Sequence, residues 1–178
     1  AFTDARVPRK GIFREAEGGT VFLDEVAEIP LEIQARLLRV LQQRMVRPVG
    51  ADAEVPFDAR IIAASRKDLR REVDAKRFRE DLFFRLNVVQ LEVPALRTRR
   101  SDIAPLARKL AEQAAKRANK PLAGLAPELI ASLEARPWPG NVRELQNAIE
   151  RAVVLSKNPV LGLLDFEAHA GQLPQKPK

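Results

Sequence analysis

Gly18-Gly19-Thr20-Val21-Phe22-Leu23-Asp24-Glu25-Val26-Ala27, the run GGTVFLDEVA, sets two glycines before a short apolar segment and two adjacent carboxylates after it. A strand buried in a parallel sheet reads as a continuous apolar run rather than an alternating one. In open α/β sheets ligands gather outside the carboxyl ends of the strands. An Asp at that point can hold Mg²⁺ through water, and the Glu beside it can polarise an attacking water. Asp24 and Glu25 therefore fit the hydrolytic half of a nucleoside-triphosphatase site. The same two acids also fit a strand that simply runs into a solvated turn, and the rest of the chain has to decide between the two.

Leu31, Ile33, Leu37, Leu38, Val40, Leu41 and Met45 fall at helical spacing behind Pro30, which predicts a helix opened by an N1 proline. The loop Arg47-Pro48-Val49-Gly50 closes it. Arg60 to Ser65 reads as a second buried strand, Lys67 to Lys76 as a polar helix and Phe78 to Leu86 as a further short helix. Val88 to Val93 reads as a third strand stopped by Pro94. Strands separated by helices imply a parallel α/β layer. Beyond Pro94 the chain turns Ala-rich, with no further strand expected. Ser101 is placed to N-cap a helix to about Ala118, with Asp102 in its first turn. Pro127 opens a second helix ending near Arg136, and Asn141 with Glu144 forms a capping box for a third, to about Ser156. The expected division is an α/β part over 1–96, a small all-helical lid over 97–165 and a flexible tail over 166–178, frayed from Gly171.

A chain of 178 residues with 46% hydrophobic content can bury a core as one domain or as one domain with a small appendage. It has no Cys, which removes disulfides and thiolate metal sites, and His169 as its only histidine excludes a His-built metal centre. No signal peptide or membrane span is evident, so the chain reads as cytoplasmic and without a membrane partner. Charge is uneven: of the net +7, nearly all lies after residue 96, where 14 Lys+Arg face 8 Asp+Glu. A basic lid could serve phosphate or nucleic acid, but the charges are dispersed and one Trp with no Tyr offers little to stack bases, which favours a solvated helical surface.

Five blocks in order resemble the AAA+ ATPase domain of bacterial sigma-54-dependent transcription activators, the enhancer-binding proteins often found behind a response-regulator receiver. They are GIFREAEGGTVFLDEV at 11–26, PLEIQARLLRVLQQRMVRPVG at 30–50, RFREDLFFRLNVV at 77–89, PALRTRRSDIAPLA at 94–107 and WPGNVRELQNAIERAVVL at 138–155. The resemblance implies an AAA+ P-loop-type parallel sheet with a helical lid, and ATP and Mg²⁺ as cofactors. It makes Asp24 the Mg²⁺-positioning residue, through water, and Glu25 the activator of the hydrolytic water. Arg79 and Arg85 fall at arginine-finger positions, reaching a neighbouring subunit's nucleotide. Six residues apart on a helix they would point about 120° away from each other, and for either the plain alternative is a surface salt bridge with Glu80 or Asp81. Arg143 matches sensor II; it sits near a positive helix end, which suggests a partner anion. Nucleotide contacts are implied at Gly18, Gly19, Asp24, Glu25, Ser65 and Arg143. The implied partners are sigma-54 RNA polymerase, further copies of the chain in a hexameric or heptameric ring, and DNA through a domain outside this chain.

Three departures from the family pattern stand out. Ala1-Phe2-Thr3-Asp4-Ala5 corresponds to the family's GAFTGA loop, which contacts sigma-54; Phe2 and Thr3 are kept, the leading Gly is absent, and Asp4 stands where a glycine is usual. Ser65-Arg66 replaces the Thr-Asn or Thr-His of sensor I, putting a cation where a short polar group is usual. No G-x-x-x-x-G-K-[ST] phosphate loop occurs in the 178 residues. In the family that loop lies upstream with two strands, one of them central, so the expectation is an N-terminally truncated domain, inactive alone. Two other functions stay open: a different AAA+ motor acting on DNA, and a non-catalytic regulatory or binding module, which Asp4, Arg66 and the missing loop favour.

Overall fold

A computed structural model describes residues 11–48 and 53–170. The chain divides into two compact units, 1–91 and 92–178, each with its own core. Among the described residues no helix is long and apolar enough to cross a membrane.

In the first unit, α1 (Ile12–Glu15) precedes β1 (Thr20–Leu23), followed by a 3₁₀ turn (Val26–Glu28) and α2 (Leu31–Gln43). A small antiparallel pair, β2 (Met45–Val46) with β3 (Val55–Pro56), leads to β4 (Arg60–Ala63), α3 (Leu69–Asp74) and α4 (Glu80–Leu86). β1 and β4 pair in parallel, Thr20 opposite Arg60 and Leu23 opposite Ala63. The expected α/β organisation and these two strands are thus present. The apolar stripe of α2 buries Leu37, Leu38 and Leu41 against Phe78 and Leu82 beside α4.

Several local expectations give way to specific interactions. Pro30 is the residue before α2 rather than its first, and the helix stops at Gln43 because Arg44 takes a left-handed conformation, φ 55°. Its guanidinium Nη1 donates to Ala59 O at 2.6 Å and the group lies over the Phe57 ring, which holds the turn in place of the usual glycine. Met45 therefore leaves the helical stripe and pairs with Pro56. α3 starts late because the Asp68 carboxylate accepts from the amides of Arg70 and Arg71. The third strand, expected over 88–93, does not form. A strand exists only through a ladder partner, and no described strand pairs with these residues; Val88, Val89, Leu91 and Val93 stand 78% to 87% exposed.

The second unit is a helical lid. Two 3₁₀ turns (Leu96–Thr98, Arg100–Asp102) lead into α5 (Ile103–Ala118), followed by β5 (Gly124–Leu125), α6 (Pro127–Ala135), α7 (Asn141–Leu155), β6 (Val160–Leu161) and α8 (Leu163–Ala170). The small face of α5, Ala107, Ala111, Ala114 and Ala115, packs in one core with Leu145, Ile149, Ala152 and Val153 of α7. Alanines at i, i+4 spacing let two helix backbones approach closely, and Leu129, Leu133, Trp138 and Phe166 fill the remaining volume. Pro127 opens α6 as its spacing predicts. Ser101 does not cap α5, for it lies inside a 3₁₀ turn. The two-residue parallel pair β5–β6 departs from a purely helical lid. α8 runs past residue 165 into the segment expected to be a tail, and Phe166 is fully buried.

The α7 start shifts the expected capping box by one residue. Gly140 is the N-cap, and Glu144 Oε2 accepts from its amide at 2.7 Å. Asn141 takes φ 53° and turns its Oδ1 to accept from the Leu96 amide at 2.8 Å. A Cβ at residue 140 would lie 2.8 Å from Glu144 Cβ, so the clasp needs glycine there.

Candidate active site

The carboxyl ends of β1 and β4 carry the charged cluster. The ladder continues one step beyond the strands, Ala64 N donating to Leu23 O at 2.8 Å and Val26 N to Ala64 O at 3.0 Å, so the two following loops are locked side by side. Asp24 leaves the strand exposed, with Oδ1 accepting from the Glu25 amide at 2.9 Å. Glu25 itself is left-handed, φ 52° and ψ 46°. A non-glycine residue there is uncommon, and the conformation directs its side chain over the end of β4 toward Arg66.

Arg66 Nε lies 2.5 Å from Glu25 Oε1, and the Arg66 amide donates to Glu25 Oε2 at 3.4 Å. Beside this pair Lys67 Nζ lies 2.9 Å from Glu28 Oε1. Ser65 Oγ is spent on a local turn, accepting from Lys67 N at 3.0 Å and donating to Lys67 O at 2.9 Å. Gly18 and Gly19 precede the amino end of β1, so the strand's four residues, about 13 Å, separate them from Asp24. They shape a turn: Gly18 has φ 68° and its amide donates to Asp58 O at 2.6 Å. Among the described residues no group of three or more His, Cys, Asp or Glu is arranged to hold a metal. One exposed carboxylate nevertheless suits Mg²⁺, which keeps most of its waters and is commonly held by one or two carboxylates plus phosphate oxygens.

Arg79 and Arg85 both belong to the first unit but occupy different environments. Arg79 is the residue before α4, with its fork bidentate on Asp81 at 2.7 and 3.0 Å. That pairing holds the Asp81 carboxyl below the usual carboxylate range and raises Arg79. Arg85, in the last turn of α4, donates from Nη2 to Leu41 O at 2.8 Å, satisfying one of the carbonyls left open at the end of α2. Arg143 is exposed in the first turn of α7, in the other unit. Phe2, Thr3 and Asp4 lie outside the described residues.

A residue the periodicity hid is Gln34, fully buried on α2. Its Nε2 donates to Ile29 O at 2.7 Å and Arg77 O at 3.2 Å, while Oε1 accepts from the Arg79 amide at 2.8 Å. One amide thus fixes the start of α2, the end of the α3–α4 loop and the backbone of Arg79. A polar residue amid a buried apolar stripe was the available signal. Next to it Arg77 forms a bidentate pair with the buried Glu72 at 2.8 and 2.9 Å, and these bonds hold the Glu72 carboxyl below the usual range. Gln34→Leu is expected to destabilise the α2–α4 region by about 1 kcal/mol, since it leaves two part-buried carbonyls and an amide without their side-chain partner. The check is the urea midpoint of the full-length protein together with amide exchange across α4; unchanged protection at Arg79 would remove Gln34 from this role.

Residues 1–92 match the Sigma-54 interaction domain and residues 97–178 the AAA+ ATPase lid domain. The chain is similar to the transcriptional regulatory protein ZraR of Klebsiella oxytoca, 51% identical over 155 residues that make up 87% of this chain and 35% of that protein. It is also similar to the transcriptional regulatory protein GlrR of Escherichia coli K12, 46% identical over 90% of this chain and 36% of that one. The crystal structure of NtrX from Brucella abortus in complex with ATP superposes with TM-score 0.78 at 41% identity, covering 92% of this chain and 40% of NtrX. The chain thus spans little more than a third of the length of these relatives.

Proposed function

The chain belongs to the Sigma-54 interaction domain family, and on that premise we propose that the protein containing it is an ATPase that remodels sigma-54 RNA polymerase to activate transcription. The observation that carries the proposal is the Asp24-Glu25 pair at the carboxyl end of β1, one strand away from β4, in the place where an open α/β sheet binds ligands. When bound, Mg²⁺ would offset the charge of the phosphates, and Asp24, whose carboxylate is exposed, would hold it through water. Glu25 orients the attacking water and takes its proton.

The remaining roles follow from placement. Arg79, exposed before α4, supplies a cation to the nucleotide of an adjoining copy in a hexameric or heptameric ring, while Arg85 supports the α2–α4 packing that presents it. Arg143 contributes from the lid to the phosphates. Ser65 acts on nucleotide geometry through the turn it forms, whereas Gly18 and Gly19, at the other end of β1, serve the turn that feeds the strand and lie too far from Asp24 to touch a nucleotide held there. Phe2, Thr3 and Asp4 form the sigma-54 contact, and DNA is reached through a further domain. That NtrX binds ATP with a closely similar fold supports nucleotide binding here.

The test is to assay the full-length protein for Mg²⁺-dependent ATP hydrolysis and for retention of purified sigma-54 with a nucleotide analogue that mimics the transferring phosphate. Turnover together with nucleotide-dependent retention is the expected result. Turnover without retention points to another AAA+ motor, and neither activity points to a binding module.

A further inference from the structure

We infer that Arg66 restrains Glu25, holding the hydrolytic carboxylate in a resting state from which it must be released before it can act as a base; the inference rests on the ATPase function proposed above. The guanidinium Nε is 2.5 Å from Oε1, and the amide of the same residue meets Oε2 at 3.4 Å, so one residue engages both oxygens of the carboxylate. A base has to offer a lone pair to the proton of water. A carboxylate oxygen in a charge-assisted bond to a guanidinium has that lone pair committed, and arginine stays charged throughout, so it cannot give way by losing its own proton.

The geometry is imposed from both loops. Glu25 has a left-handed backbone that sets its Cβ direction, the Val26–Ala64 and Ala64–Leu23 bonds fix the loops in register, and the Ser65 turn fixes the main chain on which Arg66 is mounted. Lys67 is engaged by Glu28, which leaves Arg66 as the cation on Glu25. The Arg66 side chain is 81% exposed, so water competes with the pair throughout, and such pairs exchange readily. A reversible restraint of this kind slows basal hydrolysis without blocking it.

The test uses the full-length protein and steady-state ATP hydrolysis. Arg66→Ala is expected to raise kcat about two- to fivefold, the range that an exposed ion pair can hold back, with the KM for ATP unchanged. Arg66→Lys, which keeps the charge, is expected to stay near the parent rate. Arg66→Ala combined with Glu25→Gln is expected to be as slow as Glu25→Gln alone, showing that the gain passes through Glu25. An unchanged or lowered kcat in Arg66→Ala overturns the restraint, as does an Arg66→Lys rate equal to that of Arg66→Ala. If Glu25→Gln alone turns over at the parent rate, the failure lies with Glu25 as the base, and the restraint falls with it.

Discussion

Glu25→Gln in the full-length protein is expected to lower ATP turnover by about 10²-fold or more, the contribution of a positioned general base, while nucleotide affinity is kept. The amide preserves the shape of the side chain and can still hydrogen-bond, but it cannot take a proton from water. Arg66 loses its charged partner in this variant. Since that pair is exposed, stability should change little, and a small effect on urea unfolding separates loss of chemistry from loss of fold. Nucleotide binding by fluorescence titration and phosphate release in the same preparation provide the check. Turnover within a fewfold of the parent, with affinity intact, would remove Glu25 as the base and leave Asp24 as the only carboxylate of the pair to consider.

How far this site was legible in the sequence depends on what each feature needs. β1 and β4 are apolar runs, and such runs announce strands without reference to their neighbours, although the expected burial is met only at Val21 while Phe22 and Ile62 stay exposed. Residues 88–93 carry the same kind of signal and form no strand here, because the deciding quantity is a ladder partner rather than side-chain pattern. The α7 cap was misplaced by one residue for a related reason: Asn141 is drawn off by the Leu96 amide, a contact 45 residues away in sequence, and Gly140 takes its place. The Arg66–Glu25 pair was hidden because it depends on register. Only when Leu23 is set opposite Ala63 do the residues two and three positions further along come within reach of each other. Gln34 was hidden by its setting, for helical periodicity marks apolar faces and is silent about the one amide buried in such a face.

Arg79→Ala is expected to lower turnover by about 10³-fold, the lower end of what an arginine finger contributes, and to be rescued by a second inactive subunit. In this protomer the Arg79 fork rests on Asp81, a pair with each side chain roughly two-fifths exposed, 43% and 44%, so solvent already competes with it and a phosphate oxygen can replace the carboxylate. Its backbone is held by Gln34, which fixes where the side chain starts while leaving its far end free to exchange partners. Arg85 differs: it spends a guanidinium nitrogen on Leu41 O, so Arg85→Ala should be read in stability at least as much as in rate. If Arg79 acts across a heterologous ring interface, mixing Arg79→Ala with Glu25→Gln subunits places an intact Glu25 and an intact Arg79 at about a quarter of the interfaces for random assembly. Hydrolysis should then return toward that fraction of the parent rate, provided the sites work independently. Subunit exchange followed by phosphate release tests this, with ring assembly confirmed by sedimentation. Mixed rings that stay as inactive as either parent variant would place Arg79 in cis, paired with Asp81 as the structure has it, and the trans role would have to be given up.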